Sequence, residues 1–204
     1  MAYVLTIDQR GSRVHGDHVD AFLVELAALL ADREHGVVRG FERAVGDEVQ
    51  GVLDDPDLVV DVALTVSRGG GWSVGIGAGP VDEPLPASVR AGSGTAFILA
   101  RTAVEAAKSR SRSVSLAVRG IDDGAGRDAE AVLVLAAAAA ARRSPAGWEV
   151  VDAMTEPGVR QEDVATRLGV SQQAVSQRLR AALWAEETAA RSAASRLLRI
   201  AAGE

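Results

Sequence analysis

The chain has 204 residues, of which 48% are hydrophobic and 25% are charged, and it contains no cysteine. This length and composition indicate a soluble globular protein with one large and one small domain, and they exclude a disordered chain. The lack of cysteine excludes disulfides, thiolate catalysis and cysteine-ligated zinc. The Ala-rich run at 132–141 is too short and too weakly apolar to span a bilayer, so we expect a cytoplasmic protein.

The net charge of −6 is unfavourable for a protein that binds nucleic acid, because contacts to phosphate supply most of the non-specific affinity. The charge is unevenly distributed, since residues 144–204 contain seven arginines and eight acidic residues. Nearly all of the excess negative charge therefore precedes residue 144. A DNA-binding function in the C-terminal part would depend on a local positive face and on a second copy of the chain.

The first 120 residues have the pattern of alternating strands and helices. Strands are predicted at residues 3–8, 37–45, 49–53, 72–78 and 113–118, and helices at 17–36, from 55 onward, and at 93–108. Gly46, Asp47 and Glu48 predict a hairpin turn. The order matches the βαββαβ unit, so we predict an α+β, ferredoxin-like fold, in which an antiparallel sheet carries its helices on one face.

The second part of the chain is predicted to be helical. A Gly- and Asp-rich segment at 120–126 predicts a linker, and helices follow at 128–143 and 145–154. Helical composition also continues from residue 180 to 201. We therefore predict three parts: a ferredoxin-like domain at 1–122, a linker and connecting helix at 123–144, and an all-α domain at 145–204.

Residues 161–183 have the pattern of a helix-turn-helix. Ala165 is small where two helices must cross closely, Gly169 suits a left-handed turn, and Ser171 suits the N-cap of the second helix. Val175 and Leu179 supply the inward face of that helix. The alternative is an ordinary helical hairpin with a solvated polar face, but the mutual spacing of these residues favours the DNA-binding motif.

The outward side chains of the second helix suit the major groove of DNA. Glutamine can bond the edge of adenine, arginine can bond guanine or phosphate, and serine can bond either. No acidic residue occurs from 171 to 183. The candidate DNA-binding residues are Arg167, Ser171, Gln172, Gln173, Ser176, Gln177, Arg178 and Arg180.

Two aspartates of the first domain predict a metal site. Asp8 ends the first strand and Asp47 lies in the hairpin turn, so their carboxylates could share Mg²⁺, which prefers oxygen ligands. Together with the segments VGIGAGPV (74–81) and GTAFILAR (94–101), this arrangement resembles the catalytic domain of class III nucleotidyl cyclases. The resemblance implies that Asp8 and Asp47 bind the metal and that Arg101 binds phosphate.

The same resemblance also argues against enzymatic turnover. Phe97 stands where the cyclases carry an asparagine that positions the ribose, and no lysine suits purine selection. A reaction needs donors aimed at the developing charge, so we expect no cyclase activity.

The whole chain resembles the SatD family of bacterial proteins. The resemblance is carried by Asp8 with Ser12-Arg13, by GDEVQGVL (46–53), by VGIGAG (74–79), by Ala100-Arg101, and by the helix-turn-helix with Trp184 and Glu186-Glu187 behind it. It implies a cytoplasmic, DNA-binding regulatory protein. The rival hypothesis is a magnesium-dependent protein that binds or converts a nucleotide and whose helical tail mediates assembly.

The C-terminal helix predicts a homodimer. Leu183, Trp184, Thr188, Arg191, Ser195, Leu198 and Ala202 lie on one side of it. A lone helix has little to pack against within a small three-helix domain, so we expect this side to contact a second copy. Such a dimer would also present two recognition helices to a palindromic site.

Overall fold

A five-stranded mixed sheet forms the centre of the computed structural model, which describes residues 1–31, 33, 35–109 and 113–204. Its strands are β1 (Ala2–Gln9), β2 (Val37–Arg43), β3 (Glu48–Leu53), β4 (Trp72–Gly79) and β5 (Leu116–Gly120). The spatial order is β2-β3-β1-β4-β5, and β1 is antiparallel to both of its neighbours. The prediction of a wholly antiparallel sheet is wrong, because β5 pairs parallel to β4 after a helical crossover.

Nine α-helices and one 3₁₀ turn accompany the sheet in the described residues. They are α1 (Ser12–His15), α2 (Val19–Leu30), α3 (Pro56–Gly69), α4 (Thr95–Ala107), α5 (Asp123–Ala140), α6 (Pro145–Met154), α7 (Gln161–Leu168), α8 (Gln172–Ala181) and α9 (Trp184–Ala201), with the 3₁₀ turn at Val89–Ala91. The fold is therefore α+β, as predicted. The predicted helix at 17–36 includes residues 32 and 34, which lie outside the described residues.

Helices cover both faces of the sheet, so the prediction that they share one face is wrong. Tyr3, Leu5 and Ile7 of β1 point into a core that α2, α3, α5 and α9 complete. Ala2 and Val4 alternate to the other face, where they pack against α4. β1 is apolar at four consecutive positions, from Ala2 to Leu5, rather than at alternate ones, and both of its faces are buried there.

Two glycines of β4 allow α4 to lie directly against the sheet. A Cβ atom on Gly77 would lie 2.1 Å from the carbonyl oxygen of Ala96, and one on Gly75 would lie 2.2 Å from the amide nitrogen of Val104. Any side chain at either position would collide with the helix backbone. The glycines of the VGIGAG segment therefore determine how closely α4 packs on this face.

The segment predicted as a linker is part of the packed fold. Residues 120–126 comprise the end of β5 and the first turn of α5, where the Asp122 side chain accepts a hydrogen bond from Ala125 N at 2.9 Å. Gly126 lies so close to β5 that a Cβ atom would be 2.9 Å from Gly120 N. Glycine here permits close helix-to-strand packing rather than flexibility. Leu133 of α5 is fully buried in the sheet core.

The C-terminal helix packs within its own chain. Leu198, Ala194 and Ala201 of α9 are fully buried in the core that contains β1 and α3. Ser195, on the side predicted to face a second copy, is 4% exposed. The premise of a lone helix is therefore wrong, because α5 and α3 cover it. The predicted boundaries at 123 and 145 separate α5 and α9 from the sheet, but both helices pack on it. Among the described residues, no helix has both the length and the apolar composition required to cross a membrane.

Candidate nucleic-acid interface

Helices α6, α7 and α8 form a small three-helix unit with its own core. Val150, Val164, Val175 and Leu179 are buried together, with Ala165 at the crossing of α7 and α8. Ser144 caps α6 by accepting a hydrogen bond from Gly147 N at 3.1 Å, and Pro145 occupies the first turn. Local sequence thus determines where each helix begins, and apolar spacing determines the faces that pack.

The turn between α7 and α8 has the conformation that the sequence predicts. Gly169 is left-handed, with φ 63° and ψ 33°, and Val170 N donates to Ala165 O at 3.0 Å. No other atom lies within 4 Å of a Cβ built on Gly169, so glycine is needed here for its backbone conformation alone. Ser171 then caps α8 by accepting a hydrogen bond from Ala174 N at 3.2 Å.

The outward face of α8 is polar and largely exposed. Gln172, Gln173, Gln177 and Arg180 are exposed, as is the capping Ser171. Ser176 is only half-buried, because it lies one turn from Leu179 beside the core. The structure thus brings the candidate base-reading side chains together on one helix face, as the spacing predicts. Whether they bind DNA stays a prediction.

Two of the candidate arginines are engaged within the chain. Arg167 binds both carboxylate oxygens of Glu156, at 2.5 and 2.9 Å, and the contact lowers the pKa of Glu156. Arg178 lies 3.3 Å from Glu149 of α6. Arg180 is the one of the three for which the described residues supply no ion-pair partner. Fewer arginines are therefore available to contact phosphate than the sequence indicates.

The predicted metal and phosphate residues lie at the end of β1, on the α4 face of the sheet. Lys108 Nζ is 3.0 Å from Asp8 Oδ2, and Arg101 Nη2 is 3.3 Å from Glu48 Oε1. Asp8 and Glu48 are directly paired across β1 and β3. Burial raises the pKa of both carboxyls, and the neighbouring cation acts in the opposite direction at each.

Glu48 and Lys108 complete this cluster, although neither was predicted from the sequence as a site residue. Side chains alternate between the two faces of a strand, so Glu48 shares a face of β3 with Gln50 and Val52. This is the face that α4 covers, and the preceding Asp47 is not on it. Lys108 lies two helical turns after Arg101, on the same side of α4. These periodicities were available in the sequence. The sequence does not show, however, that β3 lies close to the end of α4.

The cluster fits Mg²⁺ poorly. Asp8 and Glu48 each have a cationic side chain beside them, and the positive charge competes with a metal ion for the same oxygens. Asp47 lies near Asp8, since Gln9 N donates to Asp47 O at 3.2 Å. Among the described residues, however, no group of three or more His, Asp or Glu side chains converges as a metal site requires. Metal binding by Asp8 and Asp47 stays a prediction of the cyclase resemblance.

Two surfaces thus stand out from the ordinary polar exterior: the exposed face of α8, and the paired charges of Asp8, Glu48, Arg101 and Lys108. The first has the geometry of a groove-reading helix. The second is a cluster of paired charges at the end of the central strand, in which Lys108 also lies 2.8 Å from Glu105. Comparisons with protein-family models, with curated proteins and with solved structures gave no match.

Proposed function

We propose that the chain is a cytoplasmic, DNA-binding transcriptional regulator of the SatD type, in which α7 and α8 bind double-stranded DNA. The observation that carries the proposal is the outward face of α8, where Gln172, Gln173, Gln177 and Arg180 are all exposed behind a capped N-terminus. Side chains at the start of a recognition helix reach base edges, and glutamine and arginine make the most informative contacts there.

The sheet domain has a regulatory or oligomerising role in this proposal. The order β1-α2-β2-β3-α3-β4 supports a ferredoxin-like, cyclase-related unit, extended by β5. The salt bridge of Asp8 to Lys108 supports a role other than turnover, because it engages one of the two carboxylates that the cyclase resemblance assigns to the metal. Arg101, the residue assigned to phosphate, is likewise paired with Glu48.

A homodimer is part of the same proposal. Of the three candidate arginines, only Arg180 has no ion-pair partner among the described residues. A single helix-turn-helix of this kind offers little attraction for phosphate, and a second copy doubles it. Light scattering on the full chain at micromolar concentration is expected to give twice the chain mass of 21.1 kDa. A monomeric mass in the presence of tight DNA binding would contradict this part.

The experiment measures binding to a labelled random duplex by fluorescence anisotropy at several salt concentrations. Affinity is expected to fall steeply with salt, and Arg180→Ala is expected to reduce the slope by about 1. Arg196→Ala, which removes an exposed arginine of α9, is the matched control and is expected to change neither quantity. Salt-independent binding, or equal effects of the two variants, would contradict the proposal.

Base reading is tested separately on fragments that the protein selects from genomic DNA. Gln173→Ala is expected to cost on the order of 1–3 kcal/mol on a selected fragment and little on a random duplex. Equal losses on both duplexes would assign Gln173 to the backbone instead.

A second candidate function is nucleotide binding at the Asp8 cluster. It is supported by a cleft of about 610 Å³ that Asp8, Arg10, His15 and Lys108 line together with Ser73, whose buried hydroxyl has no partner among the described residues. Thermal stabilisation by a nucleoside triphosphate with Mg²⁺, without DNA binding, would favour this candidate. If neither the nucleoside triphosphate nor Mg²⁺ raises the unfolding temperature and DNA binding depends on salt, the regulator is favoured.

A further inference from the structure

A cleft of about 790 Å³ lies where the three-helix unit meets the sheet domain. Its walls come from α2, α3, α5, α6 and α9, so both parts of the chain contribute to it. Leu64, Val151, Met154 and the two tryptophans Trp148 and Trp184 are among its apolar lining residues. A cleft of this size and composition can accept a small molecule with a hydrocarbon body.

Among the polar side chains that line this cleft, Arg143 is unusual because it is almost completely buried. It is 2% exposed and makes an ion pair with Glu187, while its Nε donates to Ala182 O at 2.8 Å. Its Nη1 is buried and has no hydrogen-bond partner within the part of the chain that the structure describes. A buried guanidinium nitrogen without an acceptor is costly, because it has lost its hydrogen bonds to water and makes none in exchange.

Among the described residues, the charged side chains that line the cleft carry one excess positive charge. Its four arginines are Arg33, Arg68, Arg143 and Arg191. The carboxylates that face them are three, Asp61, Asp152 and Glu187. All three are already bound: Asp61 by Arg33 and Arg191, Asp152 by Arg68, and Glu187 by Arg143 and Arg191. One further monoanion would balance the charges of these described side chains.

We propose that this cleft binds a small organic monocarboxylate whose oxygens accept hydrogen bonds from Arg143 and whose apolar part lies against Trp148. The planar donors of a guanidinium match a carboxylate, and the charge count matches a single negative charge rather than the higher charge of phosphate. The guanidinium carbons of Arg68 and Arg143 lie 3.6 and 4.7 Å from the centre of the Trp148 ring. Because the Trp148 ring lies against this guanidinium, we expect the ring to move when a ligand reaches Nη1.

The movement of Trp148 provides the measurement. Benzoate is titrated into the full chain at constant ionic strength while tryptophan fluorescence and the unfolding temperature are recorded. The expected result is a saturable change in fluorescence, with a dissociation constant on the order of 1 mM for a probe of this size, and a rise in unfolding temperature. Benzamide, the neutral analogue, and inorganic phosphate are expected to produce neither.

Variants locate the binding. Arg143→Gln is expected to abolish the response to benzoate, and Arg119→Gln, which removes the half-buried partner of Glu130 outside the cleft, is expected to retain it. Because Arg143→Gln leaves Glu187 without one of its cations, Thr65→Phe provides an independent test. Thr65 is exposed at the cleft, so a larger side chain fills the space without touching the buried ion pair.

The proposal is overturned by equal binding of benzamide, by binding of phosphate in place of benzoate, or by no saturation below roughly 20 mM benzoate. It is also overturned if Thr65→Phe, folded as judged by its unfolding curve, binds benzoate like the unmodified chain. None of these outcomes depends on DNA binding, so the ligand site and the proposed function can fail separately.

Discussion

At the residue scale, the ion pair of Arg167 and Glu156 limits the attraction of the helix-turn-helix for DNA. Glu156→Gln is expected to strengthen binding to a random duplex and to increase its salt slope by about 1, because Arg167 becomes available to phosphate and a nearby negative charge is lost. Anisotropy titrations measure both. Asp128→Asn makes the same change of charge at an exposed position of α5 and serves as the control. A similar gain in both variants would assign the effect to net charge alone.

The buried carboxyl of Glu48 gives a second prediction. Burial raises its pKa, so the folded chain holds this proton more tightly than the unfolded chain does. Stability contributed by the protonated form is therefore present at low pH and is lost as the pH rises from about 4.3, the ordinary value for glutamate, through the raised pKa. Glu48→Gln removes this loss, and Arg101 tolerates it because its side chain is 58% exposed.

The free energy of unfolding, measured with urea between pH 4 and 7, tests this sign. The difference between Glu48→Gln and the unmodified chain is expected to grow in favour of the variant as the pH rises. Asp128→Asn, at an exposed position, is expected to show a smaller dependence. A difference that shrinks with pH would mean that Arg101 stabilises the ionised carboxylate more than burial destabilises it.

Single residues of the helix-turn-helix could be predicted from the sequence, whereas the ion pairs could not. Gly169 and Ser171 act within one turn of the chain, so their conformation follows from local chemistry. The partner of Arg167 lies 11 positions earlier, in the connection between α6 and α7. Pairs of this kind depend on how helices pack, and spacing along one helix does not contain that information.

At the scale of elements, the contact of β4 with α4 is the most sensitive to side-chain size. Gly77→Ala is expected to destabilise the chain by about 3 kcal/mol or more, because the new Cβ meets the helix backbone and the helix must move. Gly40→Ala, in β2, is the matched control. No atom lies within 4 Å of its added Cβ, so the change is expected to stay within about 0.5 kcal/mol.

Urea unfolding of both variants decides this. Equal effects would mean that strand propensity, rather than close packing, explains the glycines of β4.

Most elements could be predicted from periodicity and capping, and their assignment to a face of the sheet could not. Asp55 and Pro56 mark the start of α3, and Asp55 accepts a hydrogen bond from Asp57 N at 2.9 Å. In β4, however, Gly75 and Gly77 have no side chain to mark the face that α4 covers. The sequence of that strand therefore does not indicate that a helix covers this face. For this reason it favours the prediction of helices on a single face.

At the scale of the whole molecule, α9 connects the three-helix unit to the sheet domain. Leu198→Ala is expected to destabilise the chain by about 2–5 kcal/mol, because Leu198 is fully buried between α5 and the sheet. Ile200→Ala, at a neighbouring position that is 47% exposed, is expected to cost far less. Chemical denaturation measures both. If Ile200→Ala is the more damaging change and also halves the mass in light scattering, α9 contacts a second copy after all.

The intrachain position of α9 could not be predicted, because the amphipathic pattern of a helix does not identify its partner. Arg191 belongs to the side of α9 that is predicted to contact a second copy, but it lies 2.8 Å from Asp61 of α3 and also pairs with Glu187 of its own helix. A helix with such a face packs equally well on its own sheet domain or on a second copy. Only the three-dimensional arrangement distinguishes these two partners.

The packing of α9 has a consequence for the synthesis of the protein. Leu198 shares a core with Leu5 and Leu58, which leave the ribosome long before it. Until α9 emerges, the nascent chain has an apolar surface on α5 and α3 that nothing covers, and contacts between segments so far apart form slowly. Translation that stalls within the helix-turn-helix therefore leaves a chain that chaperones must hold, even though every strand of its sheet has already been made.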